Sequence, residues 1–385
     1  MSLPVILHCS ASRENHGGIQ STLVQHHKHD AALGFDSRFV SYFDRTVSWL
    51  GDCTSLAGHG WMSIRALRRR FARAATARPA DISLYHDGWG LDWFAPFDGA
   101  PRRILFLHTE RPNSDDLLRR HGPLVDGILA VSRTYTDHIR RLLPGFPPER
   151  ICALPCYVEP PAWTAGSTDS PAKTGPLRLG YAGRIQAGHK RLDRLPALIA
   201  ELDGRGLDYV FELVGDGSYQ AELQRRLADH PRVVFRGWLH GEDYFRAVAG
   251  WDVLVMLSDY EGFSRAVMEA MNCGVVPVHP EFSPAAAELL GPAAGVGLYP
   301  VGAMAAAAER IAGLAVLGAV GRRSLGLACR AHLAPRTPAA YQTVYREFLL
   351  RIIAAPVLAA RPPSPPVWHG WLPLGVYTRL FPRRF

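Results

Sequence analysis

Glu261-Gly-Phe-Ser-Arg-Ala-Val-Met-Glu269 follows an apolar run that ends at Leu257 and precedes another, Val275–His279. Read as strand, loop, helix and strand, the stretch puts Gly262, Phe263 and Ser264 at a helix N-terminus. Unpaired N–H groups and the helix dipole favour a phosphate there. Glu269 stands eight residues beyond Glu261, roughly 12 Å if the interval is helical. That separation suits an elongated ligand, and carboxylates readily accept pairs of sugar hydroxyls. Taken alone, a capped helix with two solvated acids would read the same way.

The surrounding pattern repeats this strand–loop–helix grammar. Strands are predicted at Leu177–Tyr181, Tyr209–Val214, Val233–Phe235, Val253–Leu257 and Val275–His279, with helices at Leu192–Leu202, Tyr219–His230, Asp243–Ala249 and Ser264–Cys273. Such alternation specifies a parallel sheet with crossover helices. Gly180-Tyr-Ala-Gly183-Arg184 ends the first of these strands, and Lys190 follows in a loop containing Gly188. A guanidinium and an ammonium above the carboxyl edge of a sheet can neutralise a diphosphate. Val214-Gly215-Asp216-Gly217 ends the next strand in a glycine turn; it continues to Gln220, not Gly, and so lacks the dinucleotide fingerprint of oxidoreductases.

The first half of the chain alternates in the same way. Strands are predicted at Val5–His8, Arg38–Tyr42, Ile82–Tyr85, Arg103–Leu107, Gly127–Val131 and Ile151–Leu154, and the clearest helices at Gly18–Leu33 and Ser132–Leu143. Residues 161–176 are mostly Pro, Ser, Thr, Gly and Ala with few large apolar side chains, and read as a linker. The expected division is therefore 1–160, a linker 161–176, 177–337, a helix 338–353 crossing back to the first domain, and a Pro-rich, aromatic and basic tail 354–385. Two doubly wound α/β domains of this kind face each other across a cleft at the carboxyl ends of their sheets. A length of 385 residues, with 48% hydrophobic and 20% charged residues, fits two globular domains and excludes a disordered chain.

Gly183-Arg184, Lys190, Val214-Gly215-Asp216-Gly217, Phe235-x-Gly237 and Glu261-x7-Glu269 together resemble, in order and spacing, the donor domain of glycosyltransferase family 4. The resemblance covers about 177–278. It implies the GT-B fold, two Rossmann-like domains, and transfer from a UDP- or GDP-linked sugar with retention at the anomeric carbon and no metal. Carried over, Arg184 and Lys190 hold the diphosphate and Glu269 the ribose. Glu261 binds the donor sugar, Gly262, Phe263 and Ser264 bind sugar and phosphate, and Trp238 and Leu239 border the base. In the first domain Asn15-His16-Gly17-Gly18-Ile19 resembles the family's glycine loop, and His108 the histidine facing the donor sugar. His86, Asp87 and Glu110 are candidate acceptor contacts. The sequence departs from the family's form at Leu154-Pro-Cys-Tyr-Val158, at Ser264 and in the loop from Arg184 to Lys190. A sugar phosphorylase on the same fold, or a nucleotide-sugar-binding protein without turnover, are the alternatives.

The net charge of +8 calls for an anionic partner. No nucleic-acid motif is present. Between Gly60 and Ala80 lie six arginines (Arg65, Arg68, Arg69, Arg70, Arg73, Arg78) and no acid, with Trp61, Ile64, Leu67 and Phe71 at helical spacing. The tail adds Trp368, Trp371, Leu372, Leu374, Tyr377, Leu380 and Phe381 with Arg379, Arg383 and Arg384. A basic amphipathic helix beside aromatic and basic residues predicts peripheral contact with an anionic membrane and a glycan or lipid-linked acceptor. The six cysteines show no zinc spacing, no metal site is expected, and Met1–Cys9 reads as a strand and not a leader, so a cytoplasmic location is expected.

Overall fold

The computed structural model describes residues 3–11, 18–44, 53–77, 79–154, 156–163, 175–358 and 371–380. Two compact units account for the chain: Met1–Leu154 with Gln342–Phe385, and Pro155–Tyr341. Each has its own parallel sheet.

The first unit contains β1 (Val5–Ser10), β2 (Asp36–Ser41), β3 (Cys53–Ser55), β4 (Ile82–His86), β5 (Arg102–Leu107), β6 (Gly127–Ala130) and β7 (Ile151–Ala153). They lie in the order β3-β2-β1-β4-β5-β6-β7, every pair parallel. The strand order reverses between β1 and β4, which makes the space beyond their carboxyl ends the topological switch point. Near-continuous burial of β1, β4, β5 and β6 explains why they read as apolar runs. Edge strand β3 has only three residues, none fully buried, and is invisible to that criterion.

The second unit contains β8 (Leu177–Ala182), β9 (Tyr209–Val214), β10 (Val233–Gly237), β11 (Val253–Val255), β12 (Val276–Pro280) and β13 (Leu298–Tyr299). Their order is β10-β9-β8-β11-β12-β13, again parallel throughout. The switch point falls between β8 and β11. Gly180 on β8 has no alternative: a Cβ there would meet the ring of Trp251 at 1.9 Å.

Several helices are shorter than the periodicity predicts. The first runs Gly18–His29 and not to Leu33; Phe35 N–H returns to the Asp30 carbonyl at 3.0 Å and Gly34 takes a φ of 90°. The predicted Tyr219–His230 helix stops at Arg226, ahead of Pro231, which disfavours helix in the residue before it. The 17-residue helix Pro338–Ala354 contributes Tyr345, Phe348 and Ile352 to the first unit. Tyr345 packs on His26 with ring centroids 4.5 Å apart, while Phe348 and Ile352 occupy the space over Gly127. No single described helix is long and apolar enough to cross a membrane.

Candidate functional site

The Glu261 stretch begins as a loop. Its helix is Arg265–Asn272, with Ser264 as a buried N-cap. Only the second half of the Glu261–Glu269 interval is helical, so the rise of an eight-residue helix does not measure the separation of the two carboxylates.

Loops after β8 and β11 meet at the switch point of the second unit. Lys190 Nζ lies 2.6 Å from Glu261 Oε1, and the Ser258 hydroxyl donates to the same oxygen at 2.6 Å. Burial pushes the Glu261 carboxyl up. The charge and hydrogen bond of Lys190, with the Ser258 bond, outweigh it and hold the group below the usual carboxylate range. Arg184 is half-buried just after β8, and its guanidinium makes no hydrogen bond among the described residues. The backbone beneath is closely packed. Gly183 N–H donates to the Val214 carbonyl at 3.0 Å, Ile185 N–H to Asp216 at 2.6 Å and Gly215 N–H to Gly237 at 2.8 Å. A Cβ on Gly215, whose φ is 136°, would stand 1.9 Å from the Gly183 carbonyl oxygen; glycine is required there.

Glu269 receives the Tyr244 hydroxyl at 2.6 Å and lies 3.7 Å from Arg265. Burial raises its carboxyl above the usual range, against the opposing effects of Arg265 and Tyr244. Phe263 is buried with the Arg336 guanidinium 4.4 Å over its ring. Trp238 and Leu239 are half-buried after β10, and Trp238 Nε1–H donates to His240 Nδ1 at 3.2 Å.

Two features of this unit escape sequence reasoning. Arg191, with a φ of 52°, bonds Asp193 at 2.9 Å and Asp259 at 3.1 Å, while Arg194 bonds Asp259 at 2.5 Å. This lattice ties the loop carrying Lys190 to the loop carrying Glu261. The charges were visible in sequence, but their partner Asp259 is 65 residues or more away. His279 on β12 donates from Nδ1–H to the Pro280 carbonyl at 2.8 Å. Burial pushes its imidazole down to about 4, opposed by Glu261, and Nε2 has no hydrogen-bond partner among the described residues.

In the first unit, His86 ends β4 and His108 follows β5. His86 Nδ1 and His108 Nε2 are 2.7 Å apart. His108 N–H donates to Asp87 Oδ1 at 2.6 Å, and Arg111 to Asp87 Oδ2 at 3.2 Å. Burial pushes the His108 imidazole down to about 4, against the charge of Asp87 and with that of His26. His86 is thus enclosed while His108 stands nearer the sheet edge. Glu110 is half-buried. Gly18 opens the first helix with open space where a Cβ would be; Asn15, His16 and Gly17 lie outside the described residues. His26 and Asp30, four residues apart, come together with His8 from β1, with metal-binding atoms within 4.8 Å of one another; strand pairing, not spacing, brings His8 to the other two.

The basic helix is Ile64–Ala77. Ile64, Leu67, Phe71 and also Arg68 are buried in the first unit's core, so the apolar stripe is not available to a bilayer. Outward stand Arg69, Arg70 and Arg73 and Trp61, 87% exposed. The segment after Trp371, itself 68% exposed, docks on the start of this helix through Leu374 N–H to Met62 at 2.9 Å and Gly375 N–H to Gly60 at 2.8 Å. Arg65 lies 4.3 Å over the Trp371 ring. Arg78, Trp368, Phe381, Arg383, Arg384 and the side chains of Tyr377 and Leu380 lie outside the described residues.

Residues 176–315 match the family model described as glycosyl transferases group 1. Two solved structures align over nearly their whole length: Anabaena HepE in complex with UDP (TM-score 0.67, 18% identity, 90% of this chain and 99% of that one) and sucrose-phosphate synthase from Thermosynechococcus elongatus (TM-score 0.69, 16% identity, 91% and 99%). The fold is GT-B. Within this GT-B chain, the stretch similar to a curated relative is shorter. The 2-deoxystreptamine glucosyltransferase of Streptomyces kanamyceticus is 33% identical over 130 residues, 33% of this chain and 32% of the relative's own length.

Proposed function

We propose that the protein is a retaining glycosyltransferase of family 4, moving a sugar from a UDP- or GDP-linked donor to a hydroxyl of a glycan or lipid-linked acceptor without a metal ion. The observation that carries this is the Lys190–Glu261 pair at 2.6 Å, held at a switch point beside Arg184 and a helix N-terminus. Arg184 and Lys190 offer the positive charge a departing nucleoside diphosphate requires, each charge-assisted hydrogen bond contributing roughly 1.5–3 kcal/mol. Glu261 offers a carboxylate to the sugar, Glu269 one to the ribose, and Gly262, Phe263 and Ser264 the backbone N–H groups between them. The solved GT-B neighbour in complex with UDP supports a nucleotide-linked donor.

In this reading the bond from the anomeric carbon to the diphosphate breaks, its electron pair leaving on the phosphate oxygen. The acceptor oxygen bonds the same face, and its proton passes to the leaving phosphate. Trp61, Trp371 and the outward arginines support contact with the cytoplasmic face of an anionic membrane, where a lipid-linked acceptor resides.

A thermal-shift screen against UDP-, GDP- and ADP-sugars tests the donor class, since a ligand at 100 times its dissociation constant stabilises by about 2.7 kcal/mol. Transfer is then followed by NMR of the product's anomeric proton. Retained configuration, and a rate unchanged by EDTA, are expected. No stabilisation by any nucleotide sugar and no sugar release would overturn the assignment; inversion, or loss of activity on chelation, would overturn its mechanism.

A further inference from the structure

Beneath His108 the first unit holds a row of buried imidazoles. His8 sits in mid-β1 and His86 at the end of β4, and both are buried, as is Asp30 just past the first helix. His108 Nε2 is 2.7 Å from His86 Nδ1, His86 Nε2 is 3.1 Å from His8 Nδ1, and His8 Nε2 is 3.2 Å from Asp30 Oδ2. Ring centroids are 5.0 Å apart for His86–His108 and 5.4 Å for His8–His86, with interplanar angles of 13° and 23°. Those separations are what edge-to-edge rings aligned along their N–H···N axes give. The row is therefore built of near-linear hydrogen bonds and not of face-to-face stacking.

Its polarity follows from one end. Burial raises the Asp30 carboxyl, but the bonds from His26 and His8 and the charge either imidazole carries when protonated outweigh it and hold Asp30 well below the usual range. As a carboxylate Asp30 only accepts: from Ser37 Oγ at 2.5 Å, from His26 Nδ1 at 3.1 Å and from His8 Nε2. His8 Nε2 must carry hydrogen, so a neutral His8 has a bare Nδ1. His86 Nε2 must then donate to it, leaving His86 Nδ1 bare, and His108 Nε2 must donate to that. His108 Nδ1 makes no hydrogen bond among the described residues.

We propose that Asp30, His8 and His86 are positioning residues whose polarised chain fixes His108 as its Nε2–H tautomer, presenting Nδ1 as an acceptor for a hydroxyl of the bound sugar or acceptor. The use of that nitrogen rests on the transferase reading; the tautomer does not. A neutral imidazole so oriented grips a hydroxyl without competing for the diphosphate charge, and which nitrogen is protonated is set by the bond the other makes.

The test is long-range 1H–15N correlation on the full chain labelled with 15N-histidine, with His108 assigned from a His108→Gln variant. Nε2–H signals from His8, His86 and His108 at neutral pH are expected. Nδ1–H at His108 overturns the proposal. So does a divalent ion found in stoichiometric amount on His8, His26 and Asp30, because it would replace the proton on His8 Nε2. Asp30→Asn offers its amide N–H to His8, which reverses the row; the His108 signal should move to Nδ1–H and transfer should fall about a hundredfold, with near-ultraviolet circular dichroism native. An unaltered rate with a reversed His108 tautomer overturns the catalytic consequence. A wild-type protein with Nε2–H at His108 but no transfer from any nucleotide sugar supports the chain and removes the transferase reading instead.

Discussion

Replacing Lys190 by Met tests the site through stability before any substrate is known. Lys190 and Glu261 are 2.6 Å apart with side chains only 15% and 10% exposed. At an effective dielectric of about 20 their gross attraction is about 6 kcal/mol, largely offset by the desolvation of both ends. Removing one partner is another matter. Glu261 keeps its burial and the Ser258 hydrogen bond but loses the charge that holds its carboxyl down, and stranding a buried charge costs about 3–5 kcal/mol. For a unit of this size that is a fall in Tm of about 10 °C. The pH dependence should invert as well. In the wild type the depressed carboxyl contributes stability above its ordinary value, lost as pH falls through the folded-state value. In Lys190→Met the folded-state value lies above the unfolded one, so the deficit is largest at pH 8 and shrinks on acidification. Lys190→Met/Glu261→Gln should recover most of the loss. Urea unfolding of the three proteins from pH 5 to 8 decides it. A Lys190→Met deficit under about 1 kcal/mol, flat with pH, or no recovery in the double variant, would refute the reasoning.

Gly215→Ala forces a Cβ to 1.9 Å from the Gly183 carbonyl at a φ of 136°. It should lower stability by about 3 kcal/mol and abolish nucleotide-dependent thermal shifts, whereas Gly188→Ala, which meets open space, should do neither. Tyr244→Phe removes the hydroxyl that opposes the raised carboxyl of Glu269. Nucleotide affinity, which in this reading needs Glu269 ionised, should then fall at a higher pH than in the wild type and match it at pH 8; calorimetry across that range checks this. Trp61→Ala/Trp371→Ala should weaken co-sedimentation with anionic liposomes. Neutralising Arg69, Arg70 and Arg73 to Gln should weaken it roughly a hundredfold, at about 1 kcal/mol per basic residue. Equal partitioning of the wild type into anionic and neutral vesicles would remove the membrane contact.

Both sheets were legible because their central strands are buried on two faces and so appear as unbroken apolar runs. The short edges β3 and β13 carry no such run and were missed. Arg184, Lys190, Glu261 and Glu269 could be picked out by their places at strand ends and helix starts, and the structure brings Lys190 and Glu261 into direct contact. What sequence could not yield was pairing over distance. Asp259 as the anchor of Arg191 and Arg194, and the alignment of His8, His86 and His108 above Asp30, depend on strand order. The basic helix shows the opposite failure. Its periodicity was read correctly, but periodicity does not say whether an apolar stripe meets a membrane or the protein's own core, and here Ile64, Leu67 and Phe71 meet the core.

The helix Pro338–Ala354 makes the first unit discontinuous, and this imposes an order on biosynthesis. Arg102 donates to the carbonyls of Ile352 and Ala355 at 3.2 and 2.6 Å, Arg150 to that of Pro356 at 2.7 Å, and Leu358 N–H to Asp126 at 3.1 Å. While the ribosome is still adding residues 155–341, the apolar surface over Gly127 has no cover, and the earlier-made half must wait as an unfinished body. The inserted unit, Pro155–Tyr341, is made in one stretch before Gln342–Phe385 and can complete its sheet sooner. A chain stalled near Tyr341 would therefore release one finished unit and one sticky one, and the nascent first unit is the species a chaperone has to hold.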